Sequence, residues 1–582
     1  MTGSTLSAPE APADPGQGAA PAGQGAPGDP PGGPADPGGD GAGPAAALGD
    51  DATLADRIGM IVGGQFVTTV ITLVHGILMV RLISKLDYGT LAFVSMLSAT
   101  ARDLALLYIP ESFLYFAARL SIPQLKGLVR QSMLLLAGLG CLVGLVLAGF
   151  ALSPGIFLGG REDLTVLLIL AGLGTIVGFP ASVFANLFIV TDNHRKAAGI
   201  SLVITILSSA GTLIPAALGA PIVWILVAQL ASTALRLAMS WYVYAGLYPA
   251  IPAEPFPGGV RAQLAYVVPL AVSRFANLFN QKLDKVVVGL FFTAGLFAEF
   301  AVGSQELPLV SILPYTVAST MLPQFVERFE RGGLKEGGSG EEGSREGGSR
   351  AGGSRLGGSR AGGSREAGAR DAIDLWHASI RKTALVMLPV AAFLLLSAEP
   401  LMRVLYGDAY AGAALPFRIY SALLPLRVTG YGIMLMAFGQ TRMILRAQVL
   451  GMVFNVAASL ILLPTIGMVG APLAAVLTQA MMIVFMLHRI ERVGRVGLAG
   501  IFPWRHYGRV AATAALSGAP LAIALLTGSS RLYPALYLAA GAPLYLALYL
   551  AAARRIGLLE PEDRAFVHRW LRLEPLLKRP AA

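Results

Sequence analysis

Past Leu54 the sequence is a succession of long apolar runs set apart by short polar or Gly/Pro punctuation. A helix that crosses a bilayer needs ~20 predominantly apolar residues at a rise of 1.5 Å each. About fourteen segments meet that length. Their approximate extents are 58–83, 88–118, 129–152, 164–190, 197–218, 221–247, 264–291, 295–322, 375–398, 413–438, 441–463, 466–488, 509–528 and 532–553. Only Gly219-Ala220-Pro221 separates the fifth from the sixth. The pattern predicts an all-α polytopic membrane protein with about 14 transmembrane helices.

The seventh segment breaks the pattern. Between Tyr266 and Phe292 it carries Arg274, Asn277, Gln281, Asp284 and Lys285, which at 100° per residue fall within an arc of roughly 100°. A charge in hydrocarbon costs ~3 kcal/mol or more, so that face must look at protein or at a water-filled cavity. It is either a polar seam that joins helices or one wall of a transport pathway. The first segment has a polar face of its own, Gln65, Thr68, Thr72 and His75.

The first segment also lies over the seventh. At an offset of 208 residues Ala92-Phe93-Val94 falls on Phe300-Ala301-Val302, Thr69 on Asn277 and Thr72 on Asn280. Further on, residues 219–231 echo 470–480. The simplest account is a duplication: two six-helix lobes in parallel orientation around a central cavity, plus two C-terminal helices. Parallel repeats with a site near the midplane between them are a transporter architecture. The expected units are a Pro/Gly/Ala-rich tail over 1–54, lobes over 55–250 and 258–490, two extra helices over 505–555 and an amphipathic tail over 556–582.

Composition agrees. The chain is 55% hydrophobic and 13% charged, with a mean hydropathy of +0.65, more apolar than a soluble protein of this size. The net charge of +10 reads as basic cytoplasmic loops rather than nucleic-acid binding. With the N-terminus inside, thirteen Lys and Arg fall on the inner connections before the longest loop is counted, against five on the outer ones (Arg81, Lys85, Arg161, Arg403, Arg531). Both termini are therefore expected in the cytoplasm. The longest loop, 330–371, repeats a Ser-Arg-X-Gly-Gly unit and reads as a flexible coil with a weak contact to anionic headgroups at best. The first ~50 residues hold too little apolar surface for a core and have no signal-peptide pattern. Phe566, Val567, Trp570 and Leu571 give the final tail an interfacial face. A single cysteine, Cys141, excludes an internal disulfide. CxxC pairs, a P-loop and a Ser-His-Asp set are missing, so no metal, cofactor or ATP use is expected.

Ionisable residues near the expected bilayer centre are Arg102 and Asp103 in the second segment, Arg274 in the seventh, Glu306 in the eighth and Arg427 in the tenth. Arg102 and Asp103 could be a structural ion pair, yet neighbours in a helix point ~100° apart and each would need a partner elsewhere. Three arginines on separate helices suit a phosphate or diphosphate, which takes bidentate hydrogen bonds from a planar guanidinium. Arg102, Arg274, Asn277, Gln281 and Arg427 are the candidate substrate-binding residues. Asp103, Asp284 and Glu306 are the candidate acceptors of a coupling proton or cation.

The run Arg81-Leu82-Ile83-Ser84-Lys85-Leu86-Asp87-Tyr88-Gly89 leading into Ala92-Phe93-Val94 resembles the opening of the polysaccharide-biosynthesis or oligosaccharide flippases. Asp284-Lys285-Val286-Val287-Val288-Gly289 resembles that family's seventh helix, and Pro464 to Ala474 its eleventh-to-twelfth turn. The likeness covers roughly 55–490. It implies the multidrug/oligosaccharidyl-lipid/polysaccharide exporter fold, a bacterial inner membrane location, and alternating access that moves a lipid-linked oligosaccharide between leaflets, ion-coupled in some members. Fourteen segments rather than twelve resemble the lipid II flippases of the same superfamily. A glycan polymerase or glycosyltransferases would be the implied protein partners. The expected function is transport of a polyprenyl-diphosphate-linked oligosaccharide. A lipid II flippase and a multidrug cation antiporter are the alternatives within the fold, and a membrane enzyme the alternative outside it.

Overall fold

The computed structural model describes residues 51–152, 164–191, 193–248, 252–305, 314, 317, 321–329, 357–497 and 499–558. Among them the regular structure is helical throughout. Residues 1–50 of the expected 1–54 tail and most of the final tail lie outside the described residues, while 51–54 are already helical. So does the Gly/Ser/Arg loop up to residue 356; from Gly357 the chain is already in the helix that runs to Tyr406.

The first half comprises α1 (Asp51–Leu82), α2 (Lys85–Ala105), the short α3 (Ser112–Phe116), α4 (Ile122–Leu152), α5 (Thr165–Val190), α6 (His194–Ala217) and α7 (Ile222–Leu247). The second begins with α8 (Gly259–Phe291) and α9 (Ala294–Gly303). It continues through α10 (Gly357–Tyr406), α11 (Ala414–Ser421), α12 (Tyr431–Ala437), α13 (Thr441–Ile466) and α14 (Gly470–Gly494). The C-terminal additions are α15 (Trp504–Ser517), α16 (Ala519–Leu526) and α17 (Pro534–Arg555). The bare Gly219-Ala220-Pro221 signal does end one helix and start the next, because Gly219 takes φ +68°, a conformation open to glycine.

Eight of these stretches are long and apolar enough to cross a membrane, or up to ten if each bent pair is one span, among the described residues. That count does not establish fourteen. One 54-residue stretch, Thr441–Gly494, holds both α13 and α14, while the apolar pieces Phe66–Leu82 and Ala294–Gly303 are shorter than a span.

Two large apolar cores and one small one hold the bundle. The first gathers Phe93, Phe113, Leu128, Leu136, Phe179 and Phe184 where α4 packs on α5 and α5 on α7, and reaches Phe297 and Phe300 of α9. The second surrounds Trp376, Ile380 and Met387 of α10 with Met434 and Ile483, and takes in Val80 and Tyr88 from the first half. A third, small one joins Leu521, Tyr537 and Tyr545. Leu145, Leu152 and Leu526, more than two-thirds exposed, stand on outward faces, as expected where the solvent is lipid.

The halves meet through α2 packed on α9 and α8. A methyl group at Gly89 would overlap the carbonyl of Ala294, so the Tyr-Gly pair of the sequence motif is where two helix backbones approach most closely. Around it Lys85 pairs with Glu299 and donates to Ala409 O at 2.9 Å. Arg81 Nε donates to Leu405 O at 2.7 Å and Nη2 to Val404 O. Those carbonyls end α10 and have no partner within their own helix. The guanidinium of one half thus caps a helix of the other.

Besides the seventh, where α8 bends by 42°, three expected spans are interrupted. The second stops at Ala105; Leu107 and Tyr108 take φ +49° and +60°, and Pro110 has no N–H to continue a helix. The tenth breaks between α11 and α12 at a tight turn, Pro425–Arg427. Its loose carbonyls are met by side chains: Tyr507 of α15 donates to Pro425 O at 2.7 Å and Tyr431 to Leu426 O at 3.0 Å. Such satisfaction is what makes a broken helix tolerable at membrane depth. The thirteenth bends by 44° between α15 and α16.

α17 performs the same service for α10. Pro389 and Pro400 lack N–H groups, which leaves Leu385 O and Leu396 O without their i+4 donors. The hydroxyl of Tyr549 donates to Leu385 O at 2.9 Å and that of Tyr537 to Leu396 O at 3.4 Å. Between them Tyr545 donates to Pro389 O at 3.0 Å.

Candidate functional site

The polar stripe of α8 faces a cavity of about 640 Å³. Asn277, Asn280, Gln281, Lys282, Asp284 and Lys285 form one wall, with Arg427 and Thr429 from the broken tenth span and Gln448, Thr478 and Gln479 from α13 and α14 opposite. Gln281 Nε2 donates to Asn277 Oδ1 at 3.2 Å. Asp284 is 3% exposed. It accepts from the Tyr420 hydroxyl and from the Lys285 N–H at 2.8 Å. Trp376 Nε1 donates to Thr429 Oγ1 at 2.8 Å and so fixes the turn that carries Arg427. The described ionisable lining is three cations to one carboxylate.

Asn280 joins the cavity wall to α13: its amide donates to Gln448 O at 2.9 Å and Oε1 at 3.1 Å. Asn455 Nδ2 donates to Asn280 O at 3.3 Å and Ser459 Oγ to Asn455 Oδ1 at 3.3 Å. Both readings of the stripe are therefore realised on one helix, a seam at Asn280 and a cavity wall at Asn277, Gln281 and Asp284.

Arg274 stands apart. α8 bends by 42° between Gly259–Val272 and Arg274–Phe291, one turn after Pro269 removes a backbone donor. At the bend Arg274 turns to a separate small cleft with Asp103, Leu107 and Tyr108. Its guanidinium lies 5.1 Å from the centre of the Tyr108 ring, and Nη1 is 3.5 Å from the hydroxyl. The left-handed turn at Leu107 and Tyr108 is what presents that ring. Arg102 Nε is 4.0 Å from Asp103 Oδ1, with the Arg side chain half exposed. Asp103 thus has its neighbour at the edge of ion-pair range and Arg274 of another helix in the same cleft.

Four of the expected site residues, Asn277, Gln281, Asp284 and Arg427, come together at one cavity. Asp103 and Arg274 share the second cleft, with Arg102 beside it. The three arginines do not converge on one point. Glu306 lies outside the described residues. Two cations escaped the sequence reading as midplane candidates. Arg236 of α7 lies within electrostatic range of Arg102. Lys282 lines the large cavity and also feels Asp103 and Arg102, so it links the two clefts. The signal for Arg236 was its isolation, a lone charge in an apolar run, Ile222–Leu247. Among the described residues no group of three or more His, Cys, Asp or Glu sits together.

The fold is shared with solved structures. A structure described as lipid II flippase MurJ in an inward closed conformation aligns with a TM-score of 0.61 at 14% identity, covering 85% of this chain and 99% of that one. An inward-facing multidrug resistance MATE family transporter of the MOP superfamily aligns over 74% of this chain and 96% of its own, at 16% identity and TM-score 0.48. At these identities the first likeness shows fold alone, and the second adds no argument. No curated protein matches in sequence. The family resemblance carried by Arg81 to Gly89 and Asp284 to Gly289 is borne out: residues 54–329, from α1 into the second half, match the family model described as polysaccharide biosynthesis protein.

Proposed function

We propose that this protein flips a polyprenyl-diphosphate-linked oligosaccharide from the inner to the outer leaflet by alternating access, acting as a transporter and not an enzyme. The observation that carries the reading is the large cavity, whose described charges are Lys282, Lys285 and Arg427 against Asp284 alone. A cationic, hydrogen-bonding pocket attracts a diphosphate and repels the organic cations of a multidrug antiporter. Asn277, Gln281, Gln448 and Gln479 supply amide groups suited to sugar hydroxyls. Lys282 sits within reach of both clefts, so Arg102, Arg236 and Arg274 can receive the diphosphate when the halves rock.

Asp284 and Asp103, with Glu306, remain the acceptors for a coupling H⁺ or Na⁺, and the ion acts only through a difference in affinity between the two states. The orientation follows the positive-inside count, both termini cytoplasmic in a bacterial inner membrane. Arg81, Lys85 and Glu299 then close the outer end. A glycan polymerase or glycosyltransferases would stand on either side of the transport step. Lipid II is the second reading for cargo, favoured by the overlay on 99% of a lipid II flippase.

Native mass spectrometry of the detergent-purified protein tests the proposal. A polyprenyl-diphosphate glycan should co-purify and be at least tenfold depleted in Arg427→Ala, with Arg427→Lys intermediate. Bulk phospholipid alone, unchanged by either substitution, refutes it.

A further inference from the structure

A second cavity, about 460 Å³, lies away from the transport pathway between the start of α4 and the end of α7. α4 contributes Lys126, Val129, Arg130, Met133 and Leu134; α7 contributes Trp241, Tyr244 and Ala245, followed by Tyr248. On each helix these are the i, i+3, i+4 and i+7 positions of one face. The groove is amphipathic along its length. Its cations sit at the end where α4 begins, and Met133, Leu134 and Trp241 lie one to two turns deeper.

The basic end is built. Lys126 Nζ donates to Tyr248 O at 2.8 Å, closing the end of α7. The following loop crosses α4, with the Glu254 N–H donating to Pro123 O at 3.0 Å. The Glu254 carbonyl lies where a methyl group on Gly127 would be. Arg130 is exposed and makes no hydrogen bond or ion pair among the described residues. No carboxylate is among the described lining residues. Trp241 packs 5.5 Å from Tyr244, and Tyr244 5.9 Å from Tyr248, an aromatic cluster of the kind that sits at headgroup level.

We propose that this groove is a binding site for an anionic glycerophospholipid of the cytoplasmic leaflet, its phosphate on Arg130 and Lys126 and an acyl chain along Met133, Leu134 and Trp241. The chemistry fits end to end. A phosphate takes charge-assisted bonds from a guanidinium, basic pockets between helices on the cytoplasmic side bind acidic headgroups, and the deeper wall is hydrocarbon. The site owes nothing to the identity of the transported glycan. It rests on the orientation proposed above.

The test is native mass spectrometry of the full chain with phosphatidylglycerol and phosphatidylcholine of matched acyl chains. The wild type should retain phosphatidylglycerol in preference. Arg130→Gln should weaken that retention about fivefold, the fold-change given by ~1 kcal/mol for one basic residue near a membrane surface. Trp241→Ala should weaken both lipids. Arg195→Gln, an exposed charge at the start of α6, should change neither. Equal retention of the two lipids overturns the proposal, as does an equal loss in Arg195→Gln, which would mean only diffuse surface charge. Competition by glycerol phosphate at equal concentration would make it a soluble-phosphate site. A polyprenyl diphosphate held in preference and lost in Arg130→Gln would make it a substrate entrance. Either result refutes the phospholipid assignment, and neither bears on the Arg427 experiment.

Discussion

Tyr549 offers a sharp test of how this fold tolerates its bent helices. Its hydroxyl donates to Leu385 O at 2.9 Å, a carbonyl deprived of its helical donor by Pro389. The tyrosine is 3% exposed, so water cannot replace the bond. A bare carbonyl at membrane depth is costly in principle, but measured side-chain hydrogen bonds in membrane proteins average ~0.6 kcal/mol and reach ~1.7. This one, to an acceptor with no alternative, belongs at the upper end, so Tyr549→Phe should cost about 1.5 kcal/mol. Pro389→Ala restores the backbone N–H, and in that background the same substitution should cost under ~0.5 kcal/mol, a coupling of about 1 kcal/mol. Tyr545→Phe supplies the control. Its acceptors are the carbonyls of position 389 itself and of Ala514, which both backgrounds carry, so its cost should not change. The cycle is read from steric-trap or thermal unfolding of the purified protein. Equal costs for Tyr549→Phe in both backgrounds would show that the hydroxyl does not stand in for the missing donor.

Three further outcomes follow from the geometry. Lys85→Glu and Glu299→Lys should each loosen the contact between α2 and α9, while the double exchange restores it; spin-label distances across that end should show the rescue, and a part-buried pair implies about 1–2 kcal/mol. Trp376→Phe removes the bond to Thr429 at zero exposure. It should cost about 1–3 kcal/mol for the acceptor and the lost volume, and should weaken glycan retention with Arg427 unaltered. Gly89→Ala forces a methyl group into the Ala294 carbonyl, and thermal unfolding should fall by the equivalent of about 1–3 kcal/mol; an unchanged melting curve would place the close approach elsewhere.

Much of this molecule was legible in its apolar pattern because lipid leaves a helix no choice but to satisfy its backbone internally. The turn at Gly219 and the cavity face of α8 followed from spacing. The interruptions did not. Hydropathy sees one apolar run over 88–118, whereas Leu107 and Tyr108 leave the helix there through a left-handed turn that only tertiary contact decides. The division of Arg274 from Asn277 was equally invisible, since an angular arc ignores depth along the helix and α8 bends by 42° just ahead of Arg274. Lys282, although within the same run, was left off the stripe because it falls outside the arc of roughly 100° that the other five share, yet the cavity reaches it. Arg236 was passed over because its surroundings are apolar; the charge it meets across space is the like charge of Arg102.

The cap that Arg81 places on the end of α10 has a consequence for energy coupling. Its acceptors, Val404 O and Leu405 O, are peptide oxygens, and a guanidinium keeps its charge throughout the physiological range. No proton can loosen that clasp by titrating either side of it. The Arg81 clasp is therefore a part of this end that a pH gradient cannot address directly; a carboxylate at the same end is that of the Lys85–Glu299 pair. What the gradient must then overcome at Arg81 is a contact equally strong on the acid and alkaline sides of the membrane.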